Sequence, residues 1–486
     1  MIAEPFLALA VVLVIALAYW VIARPDALTL IVLFLFYTNA VGVAVKVHGA
    51  PVALALVLIF LLVVPLARQL ARGEKFVVTP ALPLLLLLLA AQIVSTLFAT
   101  DIDRSWVDLQ GFIVEGALLY VLVTNVIRSP EVLRRCLWMV ILAGALLGGL
   151  SLFQDVTGTY ARPYGGFAQV PGEFFSGHSD KPRLAGPLGD PNYYAQILLV
   201  AVPLALFMIW NERRALLRAL AFGAGALAIA GILLTFSRGA GLAFLVVFVI
   251  MAGLRAIRPR YVVLVVAGLA VALSAVPAYK DRISTVTAVG GATAASGGDS
   301  AADASMRSRM TEMLAAAKVF ADHPVVGVGP ANFPLYYQDY AERIGIELRD
   351  RVRFGPRRGE EPQRESHNMF LSIAAEQGII GLILFCAVIV VTQRELLRAR
   401  RRFLRTRPDL VNMATSLFLA IIAYVIAGMF LTLAYERYFW LLLALGGAAA
   451  SVLLREPVPE AAPLRAARRR APPAVRPARE PVGAAR

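Results

Sequence analysis

The sequence predicts an all-α polytopic membrane bundle that carries one long, partly helical loop outside the bilayer. Three observations predict it. Hydrophobic residues make up 59% of 486 positions against 16% charged, with a mean hydropathy of +0.72, a balance suited to lipid rather than water. Apolar runs long enough to cross about 30 Å of hydrocarbon recur along the chain. Between Ser305 and Asn368 the character turns to that of a soluble protein: an arginine-bearing amphipathic helix, a Gly-Val-Gly turn and a His-Asn pair. A lipid-facing bundle needs no such loop to fold, so something is expected to be bound or transformed there.

The apolar runs lie near 5–23, 27–45, 51–70, 81–99, 110–127, 135–154, 192–210, 216–235, 239–256, 261–278, 367–392, 410–432 and 437–454. Read as spans they give about 12 to 13 helices, the first two being the hardest to divide. Cys136 and Cys386 both fall inside runs, which argues against a disulfide framework. The first run lacks a basic segment before it and a small-residue cleavage site after it, so it is expected to be retained. The organisation that follows is a transmembrane bundle over 1–278, a loop domain over 279–366, C-terminal transmembrane helices over 367–455, and a disordered basic tail over 456–486.

Arginine and lysine cluster in alternate short loops: Arg68, Arg72 and Lys75; Arg128, Arg134 and Arg135; Arg213, Arg214 and Arg218; Arg255, Arg258 and Arg260; then Arg394 to Arg407. Positive charge marks the cytoplasmic side of short loops, and the Arg-, Ala- and Pro-rich tail falls on the same side. The net charge of +15 then arises from topology and tail rather than from a nucleic-acid site, and no nucleic-acid partner is expected. The same alternation sends the loop 156–191, the Ser237-Arg238-Gly239 turn and the loop 279–366 to the opposite side. Every polar cluster of interest therefore faces one compartment.

Four positions on that side carry chemistry. Arg238 stands where one apolar run ends and another begins; it reads as an arginine snorkelling to headgroups or, with Gly239 and Gly241 allowing close approach, as an anion site. Arg309 lies near the start of a helix with the apolar stripe Met306, Met310, Met313 or Leu314, Ala317 and Phe320. Asp303 or Ser305 would cap that helix and His323-Pro324 would end it. Arg309 is then either a solvated helix face or a ligand at the membrane surface, with Arg307 as its substitute. His367 opens the run 367–392 behind a possible Ser366 cap, beside Asn368; a helix N-terminus disfavours imidazolium, leaving a neutral ring that can accept a proton, or the residue is merely interfacial. His323 reads as part of a helix stop, and His48 and His178 carry no pattern.

Taken together these residues resemble a known family. Leu234-Thr235-Phe236-Ser237-Arg238-Gly239, Ser308-Arg309 with the following helix to Asp322-His323-Pro324-Val325-Val326-Gly327-Val328-Gly329-Pro330-Ala331-Asn332-Phe333, and Ser366-His367-Asn368-Met369-Phe370 are similar to motifs of the bacterial O-antigen ligase and O-antigen polymerase superfamily. Arg183 to Tyr193 resembles a further stretch found in many members, and Glu436-Arg437 is a weaker echo. Met313 departs from the tryptophan that many relatives place there.

The resemblance implies a GT-C-type glycosyltransferase at the periplasmic face of a bacterial inner membrane, taking no metal, nucleotide sugar or other cofactor. Its donor would be a glycan on undecaprenyl pyrophosphate, and its acceptor a glycan or a lipid A-core type hydroxyl. Carried over residue by residue, it makes Arg238 and Arg309 the pyrophosphate ligands and His367 the base; Arg183, Asn192, Asn368 and Arg307 become possible substrate contacts. Two bidentate guanidiniums suit charge gathering on a leaving diphosphate, and a neutral imidazole suits removal of the acceptor proton. One displacement without an evident covalent nucleophile implies inversion at the anomeric carbon. The sequence shows no Asp-x-Asp metal setting, Walker loop, Rossmann fingerprint or His/Cys cluster. A flippase of lipid-linked glycans is the reading from another class. Such transporters place polar residues at mid-membrane and often show repeated halves; here Glu115 is the clearest acidic residue within a span, and no repeat is found. A repeat-unit polymerase would need the same arginines and base as a ligase, with acceptor choice expected in 282–304 and 340–365, where 288–304 reads as a flexible gate or a linker.

Overall fold

The computed structural model describes residues 24–170, 182–275, 301–344, 364–432 and 437–458. Fifteen helices account for about three quarters of them, and the only β pairing among the described residues is a single bridge between Gln169 and Gly186. We number the helices α1 Pro25–Tyr37, α2 Ala40–His48, α3 Ala53–Ala71, α4 Leu82–Leu97, α5 Ile102–Val126, α6 Pro130–Thr157, α7 Pro191–Asn211, α8 Ala215–Leu234, α9 Arg238–Gly253, α10 Pro259–Ala275, α11 Ala301–Asp322, α12 Phe333–Ile344, α13 Met369–Phe403, α14 Pro408–Gly428 and α15 Arg437–Arg455. Eight are long and apolar enough to cross a membrane, and α1 and α2, bent by 51° at their junction, form a broken span or a re-entrant loop. The shorter apolar helices α4, α9 and α10 coincide with further runs read from the sequence, so every run from 27–45 onward contains a helix among the described residues. The run 5–23, the tail and the segment 276–300 lie outside the described residues. The chain is an all-α multi-pass membrane protein.

The core sits where α7, α13, α14 and α15 meet. Trp440 packs edge to face on Phe385 and Phe439, which are tilted against each other, and Phe112 joins them with its ring 4.9 Å from that of Trp440. Such aromatic contacts add to the apolar burial itself. Close helix approach uses small residues: Gly231 of α8 would bring a Cβ within 2.9 Å of the Gly148 Cα on α6. In lipid, where burying apolar surface gains little, such packing does most of the joining.

Side-chain contacts sort the loops into two sets at opposite ends of the bundle. At one end Arg128 meets Gln69 and Glu74, Arg134 pairs with Glu212, Asn211 meets Asp409 and Asn412, and Arg400 donates to the Leu254 carbonyl. At the other end lie the Ser237-Arg238-Gly239 turn, the segment 182–190, α11 and α12, and His367. Helices α6, α7, α8, α13 and α14 each run from one set to the other; at 1.5 Å per residue, 20 residues span about 30 Å. The arginine-rich loops and the candidate site residues are therefore separated by the thickness of the bundle.

Two details depart from the sequence reading. Helix α11 begins at Ala301, so Asp303 and Ser305 lie inside it rather than capping it, and 301–304 is helical where a flexible segment was expected. Its buried face is Thr311, Glu312, Ala315, Ala316 and Val319, whereas Met310 and Leu314 of the expected apolar stripe point outward. The physical reason is that α11 docks on α12 and α13 through small residues, around Phe333, Tyr337, Tyr340 and Ala375.

Candidate functional site

Helix α13 is broken, and the break builds the platform of the site. Gly378 takes φ 66°, ψ −165° inside it, a conformation open essentially to glycine alone. Backbone groups on either side of the break are taken up by the loop after α11. Ile379 N–H donates to the Pro324 carbonyl at 2.8 Å, while Val328 N–H and Gly329 N–H donate to the Ala375 and Glu376 carbonyls at 3.0 and 2.9 Å. Ser95 adds its hydroxyl to the Glu376 carbonyl at 2.7 Å. Backbone irregularity at membrane depth persists only where such partners exist. The far side of the loop is pinned by Asn332, whose amide donates to Ser105 and to the Asp101 and Pro330 carbonyls. The His-Pro-Val-Val-Gly-Val-Gly-Pro-Ala-Asn stretch thus anchors α11, and with it Arg309, to the bundle.

His367 does not open the helix. Asn368 is the N-cap, its carboxamide oxygen accepting from Phe370 and Leu371 N–H at 3.0 Å each, and Ser366 instead donates to the Asn368 carbonyl. His367 stands before the cap with φ 49°, its N–H on the Thr432 hydroxyl at 3.1 Å, while the Asn368 amide reaches the Met429 carbonyl at 3.1 Å. The end of α14 therefore holds both residues.

The ring of His367 turns toward α11. Its Nδ1 lies 2.8 Å from Oε2 of Glu312, a carboxylate whose side chain is only 2% exposed. Nδ1 is also 3.2 Å from the Glu365 carbonyl. The other Glu312 oxygen accepts from Ser308 and from Arg364, each at 3.2 Å. Burial of the ring pulls its pKa down, but the hydrogen bond and charge of Glu312 push it up by more; Arg309 opposes and the Glu365 carbonyl assists. The net result is a pKa above the ordinary imidazole value. The sequence reading assigned a neutral ring to a helix terminus; the partner that governs this ring is a carboxylate on another helix, and His367 is not in the helix.

Arg309 is half-buried on α11, one helical turn from Glu312, and close enough to His367 for its charge to act on the ring. Arg307 lies in the helical backbone of α11; its side chain is outside the described residues. Arg238 is exposed at the start of α9, capped by Ser237. Its neighbour Gly239 faces Phe430, with space for a Cβ 3.8 Å from the Phe430 side chain. Phe430 lies between Met429 and Thr432, the two residues that hold Asn368 and His367, so the Arg238 turn and His367 share the end of α14. Arg183 is buried; its guanidinium donates to the Thr235 carbonyl and to the Asn192 side chain, both at 2.8 Å. Leu184 N–H donates to the Leu234 carbonyl. Arg183 and Asn192 are thus tied to each other and to the turn that presents Arg238.

A cavity of about 760 Å³ opens beside this group, bordered by Glu365, Ser366 and Thr432, which flank His367, and by Arg104, Asp108 and Tyr193. Tyr193 donates to Glu365 across its edge at 2.5 Å. Within the cavity lining Arg437 pairs with Glu115 at 3.5 Å and donates to Asn39, with Phe36 under its guanidinium. His48 bonds the Gly165 carbonyl and His323 packs against Tyr336, so each serves the fold; His178 lies outside the described residues. Among the described residues no three His, Cys, Asp or Glu side chains gather as a metal site.

Glu312 and Arg364 are the residues that sequence reasoning missed. A signal was present: Ser308, Arg309 and Glu312 fall within one turn of a helix, which puts a carboxylate beside the arginine.

Residues 223–386 match the family model described as O-antigen ligase. No curated protein matches the chain. The matched segment, about a third of the chain, carries Arg238, Arg309, Glu312 and His367, and over it the chain is similar to the O-antigen ligase family.

Proposed function

We propose that the chain is a metal-independent, inverting glycosyltransferase that moves a glycan from undecaprenyl pyrophosphate to an acceptor hydroxyl, in the manner of a ligase. The observation that carries this reading is the meeting of Arg309, the Arg238 turn and His367 at one end of the bundle, opposite the arginine-rich loops. By the distribution of positive charge that end faces the periplasm of a bacterial inner membrane.

In this reading the two guanidiniums hold the diphosphate at the lipid surface. The acceptor oxygen attacks the anomeric carbon, its proton passes to Nε2 of His367, and the glycosyl C–O electron pair leaves with the lipid diphosphate. The charge gathered there is what Arg238 and Arg309 neutralise; one such donor is worth about 100- to 1,000-fold in rate. The base contributes about 100- to 10,000-fold. Asn368 fixes the backbone beside the base, and Arg183 with Asn192 holds the turn that carries Arg238. The cavity beside Glu365 and Thr432, with carboxylates, an amide and Tyr193 in its lining, suits a hydroxyl-rich glycan.

The lipid and glycan profile of a deletion strain tests the reaction. Long chains left unattached support the ligase. Single repeats reassign the chain as a polymerase, and an unchanged profile removes the reading.

A further inference from the structure

We propose that Glu312 is the positioning carboxylate of His367: its charge beside Nδ1 keeps the proton on that nitrogen, leaves Nε2 as the basic nitrogen, and stabilises the imidazolium formed during transfer. The role in transfer rests on the function proposed above; the pairing itself rests on geometry.

Nδ1 has two neighbours within hydrogen-bond distance, the Glu312 carboxylate at 2.8 Å and the Glu365 carbonyl at 3.2 Å. Both are acceptors only, so Nδ1 must carry the proton in the neutral ring. Nε2 then keeps the lone pair, and among the described residues nothing is bonded to it. The ring is partly exposed, 30% of its side-chain surface being open, whereas Glu312 is 2% exposed. A carboxylate that deep needs compensation: Ser308 and Arg364 donate to one oxygen, and the His367 ring lies 2.8 Å from the other. Ser308, Arg309 and Glu312 share one turn of α11, so the helix that presents a diphosphate ligand also sets the base. A shift of α11 would move both together.

Proton bookkeeping closes on these groups. The acceptor O–H bond breaks toward Nε2, giving an imidazolium whose Nδ1 already lies 2.8 Å from the Glu312 carboxylate. The Nε2 proton then returns to solvent or to the released diphosphate. The charged groups around the ring are Glu312 and Arg309 from α11 and Arg364 and Glu365 from its own segment, with Tyr193 of α7 on Glu365 and the uncharged Thr432 from the end of α14.

The test is nitrogen NMR of histidine-labelled protein in nanodiscs, with the signal of His367, one of four histidines, identified by its loss in His367→Gln. The wild type should show a neutral ring protonated at Nδ1, a measurement that needs no other variant. In Glu312→Gln the ring should titrate at lower pH, because burial and Arg309 still act on it while the carboxylate charge is gone. A wild-type ring protonated at Nε2, or the same midpoint in both proteins, overturns the pairing. In a transfer assay with donor from the native membrane, Glu312→Gln should lower kcat about 10- to 100-fold with little change in KM, less than loss of the base itself. Glu312→Asp should recover part of it. An unchanged kcat and pH profile in Glu312→Gln overturns the catalytic role. If instead His367→Ala transfers glycan normally, the function reading falls, and the NMR result still decides the pairing by itself.

Discussion

Gly378 and Gly327 face one another across the break in α13: a Cβ on Gly378 would stand 2.2 Å from the Val325 carbonyl oxygen, and one on Gly327 would stand 2.3 Å from the Glu376 carbonyl carbon. Both have positive φ, 66° and 70°. The loop and the broken helix can exchange hydrogen bonds only because neither position carries a side chain. Gly378→Ala should therefore undock the loop, adding backbone strain of about 1–3 kcal/mol to a contact that backbone atoms cannot yield. Thermal unfolding and protease sensitivity between α11 and α12 report it. Gly223→Ala, where nothing lies within 4 Å of a new Cβ, is the control and should be neutral or slightly stabilising. Equal behaviour of the two variants would count against the docking.

The guanidinium of Arg183 should matter through the turn it holds. Arg183→Ala strands the Thr235 carbonyl and the Asn192 side chain, each unpaired buried group costing about 1–3 kcal/mol. The expected result is lower stability together with reduced transfer, and a milder loss in Asn192→Ala, because Arg183 keeps Thr235. Full stability in Arg183→Ala would show that the turn stands without it.

The pH dependence has a definite sign. His367 has a folded pKa above its ordinary value, so the stability from its pairing with Glu312 is complete below the unfolded pKa and fades as pH rises through the folded one. Activity runs the other way, since the base must be neutral: transfer should rise with pH through a midpoint above the ordinary imidazole value of about 6.5. A midpoint at or below that value would show that the Glu312 contact does not dominate in solution.

Arg437 is held inside the bundle by Glu115 and Asn39. Glu115→Ala should destabilise the protein by removing the carboxylate partner of that charge, and Arg437→Met in the same chain should restore part of the loss. Unfolding in detergent measures both; additive losses would contradict the pairing.

Much of the bundle was legible because its signal is local. Twenty apolar residues in a row announce a helix whatever surrounds them, and arginine-rich loops sort the two ends. The Ser-Arg-Gly turn and the His-Asn pair were legible as motifs. What escaped was decided by tertiary contact. The buried face of α11 follows its partners α12 and α13, so Met310 and Leu314 point outward despite their apolar character. The cap of α13 moved from Ser366 to Asn368 because Ser366 bonds the Asn368 carbonyl. Glu312 looked like an ordinary helical glutamate, since nothing local shows that residue 367 will fold back beside it.

The most direct measurement is transfer by purified protein in nanodiscs, supplied with lipid-linked glycan from the native membrane, for the wild type, Arg309→Ala and His367→Ala. The account predicts glycan moved to acceptor by the wild type, with rates at least about 100-fold lower in both variants although each is folded and inserted. Wild-type rates in either variant, or passage of the lipid across the bilayer with no glycosidic bond formed, would contradict it.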